Sequence, residues 1–176
     1  MSAKKIALAA LFAALTAVGS FIRIPLWPVP LTLQTFFVLM AGLVLGPGVG
    51  ALSQVVYLLV GLTGLPVFSG GGGPSYLMSP TVGYLAGFVL APVVTGLVAG
   101  GSRLSFARAL IACLAGTAAV YAVGAPYLAA YMFYVQHKPE ALSVALKAGL
   151  LVFLPGDVLK CLLASIVAPR LMAMRS

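Results

Sequence analysis

Charge is nearly absent from the interior of this chain. Only 7% of its 176 residues are charged, and Glu140 and Asp157 are the two acids. A soluble domain carries about 25% charged residues. Long apolar runs follow one another, broken by Gly, Pro or isolated cations. Such a chain cannot clothe itself in water, but it suits a lipid bilayer. There a crossing segment must satisfy its own backbone hydrogen bonds, so these runs are read as helices.

At roughly 20 residues per crossing, the length allows about six passes with short connections and no soluble domain. The reading is an all-α, six-helix membrane bundle forming one domain over residues 1–176. Its helices lie at about 4–20, 31–45, 49–64, 80–99, 106–124 and 155–174. The loops at 21–30, 65–79 and 125–154 then share one membrane face. The N-terminal apolar run after Lys4 and Lys5 lacks a clear cleavage site followed by a soluble chain, so it is read as a retained helix. The formal charge is +8. Its cations stand at segment ends, as orientation signals do, and no nucleic-acid partner is expected. Lys4, Lys5, Arg103, Arg108, Arg170 and Arg175 fall on one side, and Arg23, Lys138 and Lys147 on the other. The first side is cytoplasmic by the positive-inside rule, with both termini there.

The last segment opens Phe153-Leu154-Pro155-Gly156-Asp157-Val158-Leu159-Lys160. Pro155 suits a helix's first turn, where its missing N–H has no partner to lose. Asp157 then sits where the helix dipole favours an anion, and Lys160 follows on the same face. Charges within a membrane span are costly, so they face an interior or a cavity and mark a binding path. The competing reading is an ion pair that only fixes helix packing.

Two irregular loops share the outer face with this pair. Pro25, Pro28 and Pro30 rule out a regular helix around Arg23 and Trp27. The second loop carries Phe68, a run of four glycines including Gly71, and Tyr76. Aromatics flanking glycines suit a mobile lid over a ligand better than a bare linker. Gly46-Pro47-Gly48 reads as a tight turn, and Pro126 as a break or kink in the fifth segment. Tyr127, Tyr131, Phe133 and Tyr134 read as an aromatic belt at headgroup level. The outer face therefore offers Asp157, Lys160, Arg23, Gln34, hydroxyls and apolar walls, an inventory suited to a small, partly apolar metabolite. Cys113 and Cys161 read as small buried hydrophobes, with neither a disulfide nor a metal site expected. In the first segment Ala9/Ala13 and Ala10/Ala14 are four apart, and small-residue faces let another helix approach closely. Internal packing is an equal alternative for them.

Four stretches together resemble the BioY family: Pro28-Val-Pro-Leu-Thr-Leu-Gln34-Thr35, Gly61-Leu-Thr-Gly-Leu-Pro-Val-Phe68 with its glycine run, Pro80-Thr-Val-Gly-Tyr84 and Leu154-Pro-Gly-Asp-Val-Leu-Lys160. The resemblance covers nearly the whole chain. It implies a biotin-binding S component of an energy-coupling factor (ECF) transporter in a prokaryotic cell (inner) membrane. It implies a transmembrane T component and two ABC ATPase subunits as partners, with the alanine stripe as the docking face. No cofactor is implied. Asp157 and Lys160 match the family's charged residues at the biotin site. Gln34, Thr35 and Tyr84 are then candidates for further hydrogen bonds, and Phe68 and Tyr76 for covering the ring. Which group reads the carboxylate and which the ureido ring stays open.

Two other classes compete. A stand-alone secondary transporter of a vitamin-like metabolite would often show an internal repeat, and none is evident. A membrane enzyme needs acid–base or metal-binding groups, and the chain offers one histidine and two acids. No G-x-x-x-x-G-K-[ST] phosphate loop is present, so ATP-driven transport needs another subunit.

Overall fold

A computed structural model of the protein describes residues 1–100, 104–138 and 140–174. Arg103, Arg175 and Pro139 lie outside them. The described chain is almost entirely helical, with α1 Ala3–Phe21, α2 Gln34–Leu62, α3 Val82–Ala99, α4 Phe106–Tyr134, α5 Ala141–Leu146 and α6 Leu154–Ala173. Five helical stretches are long and apolar enough to cross a membrane: α1, α2, α3, α4 and 142–173, which includes α6.

The stretch α2 is two arms run together. Gly46 interrupts it with φ 78° and ψ 177°, a backbone state open to glycine. Pro47 follows, as expected for the first residue of a new helix. The arms then run antiparallel. Gln34 and Tyr57 are hydrogen bonded although 23 positions apart, where a straight helix would separate them by about 34 Å. The expected turn at 46–48 is therefore present as a reversal centred on Gly46. The first arm starts at Gln34 rather than 31, because Leu31–Thr32 (β2) pairs antiparallel with Arg23–Ile24 (β1). This two-residue ladder closes the proline loop, and Lys138 Nζ lies 4.1 Å from the centroid of the Trp27 ring in that loop.

Pro126 does not end the fifth segment. α4 continues through it to Tyr134, so the expected break near 124 and the loop starting at 125 are both displaced. A proline removes only one helical hydrogen bond, and such a loss is tolerated in membrane helices where neighbours re-satisfy the backbone. Tyr127, Tyr131, Phe133 and Tyr134 thus belong to the end of a helix.

α2 packs against α1, α3 and α6, and α4 against α3 and α6. Close approach rests on glycine. A Cβ at Gly87 would lie 2.9 Å from Val120 Cα, and one at Gly42 would lie 2.9 Å from the Pro92 carbonyl oxygen. Lipid provides no hydrophobic drive between helices, so such backbone contacts carry much of the cohesion. Cys113 and Cys161 are free and buried. They sit with Leu39, Ala112 and Ala164 in a core cluster.

The helix ends gather at two poles. The proline loop, the 63–81 connection and the start of α6 meet at one, around a common cavity. Gly46, Gly100, Leu104 and Met172 meet at the other.

Candidate ligand-binding site

Asp157 lies in the first turn of α6, one turn before Lys160, with Pro155 opening the helix. Both are buried, 6% and 7% exposed. Lys160 Nζ donates to Asp157 Oδ1 at 2.7 Å. The other carboxylate oxygen, Oδ2, accepts from the hydroxyl of Tyr121 on α4. Sequence reasoning missed Tyr121. The one available signal was weak: Tyr121 is the first of four tyrosines in this apolar helix and stands apart from the cluster at its end, and a buried tyrosine hydroxyl usually has a partner.

Tyr84 packs edge-on to Tyr121 with ring centroids 6.5 Å apart. Its hydroxyl donates to the Gly149 carbonyl at 2.7 Å, within the π-helical turn Lys147–Leu151 that leads into α6. The position is tight, since a Cβ at Gly124 would lie 2.4 Å from Tyr84 Cδ1.

Gln34 is 3% exposed at the start of α2. Its Oε1 accepts from Thr32 Oγ1 at 3.0 Å, and its Nε2 donates to Tyr57 Oη at 2.5 Å. Tyr57 Oη in turn donates to the Val67 carbonyl at 3.1 Å. A polar relay thus joins the proline loop, both arms of α2 and the glycine loop.

Asp157, Lys160, Tyr121, Tyr84, Thr32 and Gln34 surround one cavity, which also takes in Thr35, Leu85, Phe88 and Phe153. Its unoccupied space is about 490 Å³, counting the open mouth. A wider, open vestibule lies outside it, lined by Arg23, Gly71, Tyr76 and the proline loop. Pro30, Ser69 and Thr81 border both spaces and form the neck between them. There Thr81 Oγ1 donates to Tyr76 Oη at 2.9 Å.

The expected site residues therefore divide. Asp157, Lys160, Tyr84, Gln34 and Thr35 meet at the inner cavity. Arg23, Gly71 and Tyr76 belong to the vestibule. Phe68 lines neither. It is 3% exposed, and its ring packs on Tyr57 and Tyr76 with centroids 5.4 and 4.6 Å away. The glycine loop is tied down beside it: Phe68 and Gly71 exchange backbone hydrogen bonds, and Gly73 N donates to the Gly61 carbonyl at 2.8 Å. Phe68 is thus the loop's anchor in the core, not the underside of a lid, because its large apolar ring gains most from burial. Ala9 and Ala13 are buried, whereas Ala10 and Ala14 are exposed on the outside of α1.

The BioY family's sequence model matches residues 1–176. A probable biotin transporter BioY of Pyrococcus horikoshii is 40% identical over 172 residues, covering 97% of this chain and 98% of that protein. The biotin transporter BioY of Thermotoga maritima is 43% identical over 164 residues, covering 93% and 92%. Among solved structures, the S-component for biotin from an ECF-type ABC transporter superposes with a TM-score of 0.78 and 30% identity. That match covers 97% of this chain and 94% of the other.

Proposed function

The chain belongs to the BioY family, and from that membership and its cavity we propose that it captures biotin as the S component of an ECF-type ABC transporter. The observation that carries this reading is the buried Asp157–Lys160–Tyr121 cluster, which borders a cavity at the pole of the proline loop and the 63–81 connection. A packing ion pair alone needs no cavity beside it. Biotin supplies two ureido N–H donors, a carbonyl, an apolar thioether ring and a carboxylate. Asp157 accepts an N–H, Lys160 offers donors, Gln34 and Thr35 add polar contacts, and Leu85, Phe88 and Phe153 form apolar walls. Arg23, Gly71 and Tyr76 act at the vestibule, where ligand first arrives.

The assembly is part of the proposal. The chain crosses a prokaryotic inner membrane six times, the two arms of α2 counting separately, with both termini cytoplasmic. The cavity pole then faces outward. A T component docks on the Ala10/Ala14 face of α1, and two ABC ATPases supply the energy. A stand-alone secondary transporter is the alternative.

Two measurements test this reading. The detergent-purified chain should bind biotin by itself, while biotin uptake into cells or proteoliposomes should require the T component and ATPases. Uptake by the chain alone would favour the secondary transporter. In a background lacking Cys113 and Cys161, a cysteine at Ser2 should label only from the cytoplasm, and cysteines at Ser75 and Ser143 only from outside. Labelling of Ser75 from the cytoplasm overturns the orientation.

A further inference from the structure

The polar atoms around the cavity differ in what they can still offer. Tyr121 spends its one hydroxyl proton on Asp157 Oδ2, and Tyr84 spends its own on the Gly149 carbonyl. A tyrosine hydroxyl has a single proton, so each presents only lone pairs to a ligand. Asp157 receives one donor on each oxygen, and an ionised carboxylate has about four acceptor sites. Three helices, α3, α4 and α6, therefore turn acceptors toward one wall of the cavity. Lys160 is the donor beside them, with one of its three ammonium protons used by Asp157.

Tyr121 also decides how Asp157 is held. Lys160 grips one oxygen from the same helix, and a carboxylate held at one oxygen is free to swing about its last side-chain bond. The hydroxyl from α4 grips the other oxygen from across the bundle. Tyr121 is itself braced edge-on by Tyr84, whose hydroxyl is fixed to Gly149.

We propose that Tyr121 is a positioning residue of this site: its hydroxyl fixes the Asp157 carboxylate and sets this wall to read ligand N–H donors. The proposal rests on the biotin reading and assigns the ligand's direction. The ureido edge, an N–H beside a carbonyl, meets the Asp157–Lys160 pair, acceptor to donor and donor to acceptor. The valerate carboxylate then points to the neck, toward the hydroxyl of Ser69.

The test compares biotin with its carbocyclic analogue, in which CH2 replaces both ureido NH groups and the ring keeps its shape. Equilibrium binding is measured on purified native and Tyr121→Phe proteins with matched thermal midpoints. Loss of a hydrogen bond to a charged group predicts biotin binding weakened about tenfold in Tyr121→Phe, with the analogue unchanged within about twofold. Equal losses for both ligands, or no loss for either, overturn the proposal. Should Tyr121→Phe fail to fold, 3,5-difluorotyrosine at position 121 keeps the ring in place and makes the hydroxyl a stronger donor. That draws charge from Asp157 and should weaken biotin alone, whereas an equal effect on both ligands or none overturns the proposal. A native protein that does not bind biotin fails the functional reading itself, and that result is seen before any variant is compared.

Discussion

Gln34 Nε2 donates to Tyr57 Oη at 2.5 Å, joining the two arms of α2 across their reversal at Gly46. The same Tyr57 hydroxyl donates onward to the Val67 carbonyl in the glycine loop. One phenol thus ties the cavity wall to the segment that carries the vestibule. Tyr57 is 1% exposed, so no water competes for these bonds.

Tyr57→Phe tests that tie. The ring stays, but Gln34 loses its acceptor and Val67 its donor. The expected cost is about 1–2 kcal/mol of stability, read as a lower thermal midpoint in detergent. Biotin should also dissociate faster, because the neck beside Ser69 loses its anchor. An unchanged midpoint and off-rate would show that the relay carries no energy.

Asp157→Asn keeps the shape of the side chain and removes its charge. Biotin affinity should fall roughly tenfold to a hundredfold. Lys160→Ala is harder to read, because it leaves a buried carboxylate short of a partner and so mixes site damage with instability. Arg23→Ala should behave differently. Arg23 is exposed at the vestibule, so its loss should slow association more than it speeds dissociation, and the effect should shrink with added salt. Biotin amide, which lacks the carboxylate, should be insensitive to that substitution. Native affinity for biotin in folded Asp157→Asn, Lys160→Ala and Arg23→Ala proteins alike would reduce the pair to a packing role.

The two alanine registers of α1 should separate in experiment. Ala10→Trp and Ala14→Trp place bulk on an exposed face. Biotin binding by the isolated chain should survive and uptake by the full complex should fail. Ala13 is 6% exposed and belongs to the internal core. Ala13→Trp should overpack it, lowering the thermal midpoint and biotin binding together. Loss of binding in Ala10→Trp would make the outer stripe internal packing instead.

Much of this protein was legible from its sequence. The scarcity of charge demanded a bilayer, since a chain with two acids cannot cover a soluble surface. Gly46 and Pro47 marked the reversal in α2, because their backbone preferences are local. Asp157 and Lys160 announced a cavity through their cost inside a span and their spacing on one helix face. The glycine loop and the proline loop were visible as interruptions of helix for the same local reason.

Only the tertiary structure decided which way each helix faces. In a soluble helix, polar residues mark the outer side; in lipid both sides are apolar, so that signal is lost. Tyr121, Tyr57 and Tyr84 look alike in sequence to Tyr127, yet the first three are turned inward and committed to Asp157, Val67 and Gly149. Phe68 looked like a ligand cover and became a core anchor, because the ring had an apolar slot over Gly61, where a Cβ would lie 2.1 Å from Phe68 Cζ. Pro126 looked like a break, but α4 carries on through it to Tyr134. Sequence fixes the local chemistry of these residues, whereas helix rotation and the partners of each hydroxyl depend on neighbours many positions away.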